Sequence, residues 1–126
     1  MKAWIPFALM LALGTAAHAQ ATCTYPPSPA APPDGNTATR DQMIAAKHDF
    51  DSYNSDMNAY LECIKLEIDS ATPKDPSKLS PDEKKKADQA LKILAQKNNA
   101  AVDELQAVVG RFNEQLRVFK AKNQKQ

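Results

Sequence analysis

The sequence predicts an all-α protein: a long antiparallel two-helix hairpin with coiled-coil-like packing, crossed by an N-terminal polyproline strap and tied by one disulfide. Three observations predict it. Two stretches carry stripes at helical spacing, apolar at every step in the first and with Asn98 as the polar member in the second, and each opens on a capping signal. A proline-rich stretch precedes the first of them. Finally, one of the two cysteines stands before the prolines and the other deep in the first helical stretch.

Residues 1–19 read as an export signal. Lys2 supplies the positive start, Ile5 to Leu13 the short apolar run, and Ala17-His18-Ala19 the small-x-small cleavage site. Ala3 to Ala17, interrupted by Pro6, falls short of the ~20 residues that a membrane span requires. The expectation is a Sec-type signal cleaved after Ala19, a periplasmic or secreted mature chain, and no stable membrane insertion. Gln20-Ala21-Thr22 before Cys23 departs from the Leu-x-(Ala/Gly)-Cys box of a lipidated protein. In an exported chain the two thiols, Cys23 and Cys63, are expected to pair.

Residues 20–39 form the strap. Between Tyr25 and Asn36 the chain holds five prolines and no aliphatic residue larger than alanine, a composition that favours extended polyproline II ending in a Pro33-Asp34-Gly35 turn. The first helix is expected over about 40–70. Thr39 with Gln42 makes a capping box, and the stripe Met43, Ala46, Phe50, Tyr53, Met57, Tyr60, Ile64 follows. Pro73 and Pro76 break the chain. Ser80-Pro81-Asp82-Glu83 then provides an N-cap, a proline at the first helical position and a capping glutamate. A second helix over about 81–122 carries the stripe Ala87, Leu91, Leu94, Asn98, Ala101, Val102, Leu105, Val108, Val109, Phe112, Leu116, Phe119, with residues 123–126 as a tail.

A hairpin turning about residues 75 and 76 sets position i opposite position 151 − i, so that Phe50 faces Ala101, Tyr53 faces Asn98 and Tyr60 faces Leu91. Charge favours the pairing: residues 40–70 carry three basic and seven acidic side chains, residues 81–126 ten and six. Cys63 lies about 35 Å along the first helix at ~1.5 Å per residue. The segment from Cys23 to Arg40 reaches about 50 Å at ~3.1 Å per residue. The strap can therefore run back along the hairpin and place Tyr25 over its groove.

The composition excludes several function classes. Sixteen basic against fifteen acidic residues leave a net charge of +1, too little for a nucleic-acid binder that relies on neutralising phosphates. Three glycines and two histidines do not furnish a phosphate loop, a multi-histidine metal site or a Ser/His/Asp relay. His48 and Asp51 share a helix face but read as solvated polar residues. Met43 and Met57 read as core, and Lys84–Lys86, between Asp82-Glu83 and Asp88, as an exposed helix face. No catalytic residue, metal or cofactor is expected. Under the 151 − i register the first helix has ended where the second reaches Phe112. Phe112, Leu116, Val118 and Phe119 then have no helical partner: either the chain around Pro32 to Thr39 covers them as it turns, or they form an apolar end flanked by Arg111, Arg117, Lys120 and Lys122, with Phe112, Leu116, Arg117, Phe119 and Lys120 the candidate interaction residues.

The run Pro33-Asp34-Gly35, Thr39, Met43-x-x-Ala46, Tyr60-Leu61-x-Cys63-Ile64, Asn99-x-Ala101-Val102 and Phe112-Asn113-x-x-Leu116-Arg117-x-Phe119-Lys120 resembles a family of small exported helical proteins of proteobacteria. The resemblance implies a periplasmic helical protein and brings no catalytic residues. Leu79-Ser80-Pro81-Asp82-Glu83 is similar to the Leu-Thr-x-x-Gln motif of helical periplasmic stress chaperones, with Ser80 and Glu83 where Thr and Gln belong. The expected function is a non-enzymatic interaction module that binds a protein partner or a second copy of itself. A chaperone holding unfolded clients is the alternative.

Overall fold

A computed structural model of the protein describes residues 23–124. The expected export signal and the end of the expected tail lie outside the described residues. Those residues form two helices, α1 (Arg40–Ala71) and α2 (Pro81–Asn123), with a short 3-10 turn, Pro76–Lys78, between them and no strand among the described residues.

Both helices begin where their capping signals stand. Thr39 accepts from the Gln42 backbone N–H at 3.2 Å, and the Thr39 N–H donates to Gln42 Oε1 at 2.8 Å. Ser80 and Glu83 repeat the exchange at α2, where Pro81 loses no hydrogen bond by lacking an N–H. α1 ends before Pro73, because the residue ahead of a proline is pushed out of the helical region; Thr72 is extended and returns its N–H to the Ile68 carbonyl.

The stripes of the two helices meet in one core. Tyr53, Met57, Tyr60 and Ile64 of α1 pack with Leu94, Ala101 and Val108 of α2, and Met57 and Ile64 are wholly removed from solvent. Phe50, Leu61, Ile68 and Leu105 border this cluster, half-buried.

The register differs from the 151 − i expectation. Phe50 lies not on Ala101 but on Phe112, ring planes 5° apart and centroids 4.8 Å apart. That is eleven residues further along α2. The cause is visible in the first three turns of that helix: Pro81 to Ile93 is charge-rich, and only Ala87 and Leu91 in it are even half-buried. A stretch carrying Asp82, Glu83, Lys84, Lys85, Lys86 and Asp88 has no face worth burying. The richer apolar stripe from Leu94 onward takes the contact with α1 instead. The unpartnered overhang therefore belongs to the start of α2, and Phe112 is core. The expected charge complementarity is not realised as contacts either: every ion pair among the described residues lies within α1, within α2 or within the linker.

Candidate functional site

The N-terminal segment lies along both helices, and successive contacts fix its course. Cys23 is bonded to Cys63, with Cα atoms 5.7 Å apart. The Cys23 N–H donates to Glu67 Oε1 at 3.4 Å, and the same oxygen lies 3.2 Å from Cys23 Sγ. Tyr25 meets Tyr60 edge to face at 5.0 Å, and Pro26 is buried. The Ser28 hydroxyl donates to Glu104 Oε1 at 2.8 Å, the first polar link from the segment to α2. At the far end the Gly35 N–H donates to Gln115 Oε1 at 2.9 Å, and Ala38 is buried just ahead of α1.

Asp34 shapes that far end. Its side chain accepts from the Asn36 N–H at 2.8 Å while its carbonyl accepts from Thr37 and Ala38, a local turn of the kind Asp-Gly pairs favour. Gly35 presses against α2: a Cβ there would fall 2.3 Å from the Gln115 carbonyl oxygen and 2.7 Å from the Phe119 nitrogen. Its backbone is not in the left-handed region, so glycine is required for closeness and not for conformation.

Beneath the segment the tyrosines gather. Burial pushes the Tyr53 hydroxyl above its ordinary range, reinforced by Tyr25 and the Glu104 carboxylate; burial does the same to Tyr60, reinforced by Tyr25 and Glu67. The 151 − i register set Tyr53 opposite Asn98. Its hydroxyl instead has no hydrogen-bond partner among the described residues and faces Ser28, Tyr25 and Glu104.

The five candidate interaction residues divide. Phe112 is buried against Phe50, so the expectation that it lacks a helical partner is corrected. Leu116 and Phe119 are half-buried, with Gly35 beside Phe119. Arg117 and Lys120 are exposed, and the Arg117 guanidinium grips Glu114 at 2.7 and 3.0 Å, which holds that carboxyl below the usual range. On the opposite side of the polar inventory, Asp51 is taken by Lys47 at 2.6 Å, while His48 is exposed beside Asp49. Cys23, Cys63 and Glu67 come close enough together to resemble a metal set, but the two sulfurs are bonded to each other and offer no thiolate.

Between its two anchored ends the segment leaves a cleft. Pro29 to Pro33 stand beside Ala45, Ala46, Asp49 and Phe50 of α1 and Val108, Arg111 and Phe112 of α2, and together they line a half-open cleft of about 480 Å³. Sequence reasoning missed this cleft, and also Glu67 at the disulfide and the Ser28–Glu104 link, because each depends on which part of a helix the segment crosses. The one available signal was Gly35, a glycine after Pro-Asp where the chain turns. Comparison of the chain with protein-family models, with curated proteins and with solved structures returns no match. No helix among the described residues is long and apolar enough to cross a membrane.

Proposed function

We propose that the protein is an exported, non-enzymatic interaction module: an antiparallel helical hairpin, held by a polyproline strap and one disulfide, that binds a protein partner or a second copy in the periplasm. Its contact surface is the end where α1 begins and α2 finishes. The observation that carries this is that Leu116 and Phe119, although Gly35 lies against the helix there, stay only half-buried, with the exposed cations Arg117, Lys120 and Lys122 next to them in α2. Apolar side chains left partly open inside a charged rim are characteristic of protein contact surfaces.

The antiparallel arrangement is supported by two contacts. Phe50 meets Phe112, and Gly35 meets Phe119, while the five steps from Gly35 to Arg40 span at most about 17 Å. The start of α1 is thereby kept near the end of α2. Export is supported by the disulfide, which belongs to oxidising compartments, together with the sequence of residues 1–19.

Arg117→Glu combined with Lys120→Glu tests the surface, since both side chains are exposed and neither touches the core. Native mass is followed by sedimentation over a range of concentrations, and partners are captured by crosslinking in periplasmic extract. The expected result is that self-association, or one specific crosslink, disappears while the melting temperature is kept. Association that survives the double charge reversal removes this surface from consideration. Suppression of aggregation of an unfolded client at substoichiometric ratio would favour the chaperone instead.

A further inference from the structure

Going beyond protein contact, we infer that the cleft between Pro29–Pro33 and the two helices is a binding site for a small molecule with a flat apolar body and a single acidic group. The chain is anchored on either side of this stretch, by the Ser28 hydroxyl on Glu104 and by the Gly35 N–H on Gln115. Within it, three of five residues are prolines, which have no N–H with which to bond the helices below. Among the described residues the stretch makes no hydrogen bond to the helices, and the half-open cleft beneath it, about 480 Å³, falls in the size range of small-ligand sites.

The lining states the ligand's chemistry. Phe50 and Phe112 give the lining an aromatic floor, and an aromatic floor favours a ligand with a flat apolar ring. Arg111 is the one cation in the lining. Its nearest carboxylate, on Glu104, is 3.7 Å away and already holds the Ser28 hydroxyl, so guanidinium donors remain for a ligand acid. Asp49 stands on the α1 side of the same cleft and opposes a second negative charge. A second recess of about 430 Å³ shares Arg111 and includes Gly110, where an added Cβ would meet nothing within 4 Å. The guanidinium is thus approachable from both spaces.

The test titrates the disulfide-intact protein with 2-naphthoate, with neutral 2-naphthamide and with 2,6-naphthalenedicarboxylate, following backbone amide shifts. Saturable shifts confined to Ala45, Asp49, Arg111 and their neighbours, with a Kd for 2-naphthoate below about 1 mM, are expected. The amide and the dicarboxylate should bind more weakly. Arg111→Gln should weaken the acid about tenfold and leave the amide unchanged, and Asp49→Asn should improve the dicarboxylate. Ala45 is exposed, so Ala45→Trp fills the cleft without entering the core and should abolish binding with helical content and melting temperature kept. Unsaturable or scattered shifts overturn the proposal. So does undiminished binding by Ala45→Trp, or equal loss of acid and amide in Arg111→Gln.

Discussion

Gly35 and Gly110 show how one residue type serves opposite ends. At Gly35 the obstacle is backbone, the Gln115 carbonyl and the Phe119 N–H, and helix backbone cannot turn aside as a flexible side chain can. Gly35→Ala is expected to cost about 1–3 kcal/mol, as overpacking does, and to loosen the Gly35–Gln115 hydrogen bond. Gly110 is the reverse case. It lies in the interior of α2, exposed, with ordinary backbone and open space around the missing Cβ. Gly110→Ala should therefore stabilise by about 0.5–1 kcal/mol through helix propensity. Denaturant unfolding of the two variants checks both signs at once, and destabilisation by the second would show that α2 needs flexibility there.

Three of the four helix ends are set by local chemistry and were legible in the sequence: Thr39 with Gln42, Ser80 with Pro81 and Glu83, and the prolines of the linker act within four residues of themselves. The overhang gives the second cap a separate role. From Pro81 to Ile93 the helix has little burial to hold it, so its first turns depend on Ser80 and Glu83. The Ser80 N–H and hydroxyl hold the Glu83 carboxyl below its usual range. A depressed carboxyl contributes its stabilisation above its unfolded pKa of about 4.3 and loses it as pH falls through the lower folded value. Amide exchange at residues 84–90 should thus accelerate on acidification, or in Ser80→Ala at neutral pH, while the amides around Met57 and Ala101 keep their protection. Equal acceleration in both regions would mean that the overhang and the core open as one unit.

At the scale of the molecule the disulfide joins the segment to the helices. Cys23 and Cys63 are 40 residues apart in sequence, and closing a loop of that length is worth about 4 kcal/mol in the chain-entropy model. Two helices with one shared stripe bury little else, so reduction removes a large share of the stability. The tyrosines report where the loss begins. Tyr25 packs on Tyr60, and Tyr53 lies nearby with its hydroxyl shut away from water. Cys63→Ser, or the wild type in dithiothreitol, should unfold at a markedly lower denaturant midpoint and show a changed tyrosine near-ultraviolet signal before helix is lost. A midpoint unaffected by reduction would mean that the segment adds nothing to stability.

Periodicity and caps, which act over a few neighbouring residues, were sufficient to read from the sequence the two helices that the described residues form, and the cystine between Cys23 and Cys63, 40 residues apart, was read from the cysteine count together with the export signal. The register was decided only in three dimensions. A stripe that repeats every three to four residues offers several near-equivalent alignments, and the choice among them rests on total burial, which put Phe50 on Phe112 and left the lysine-rich start of α2 without a partner. That choice converted an expected surface phenylalanine into core. The lining of the cleft followed from it as well, because the proline-rich stretch crosses whichever helix faces the register brings beneath it, and here those faces carry Phe50, Phe112 and Arg111.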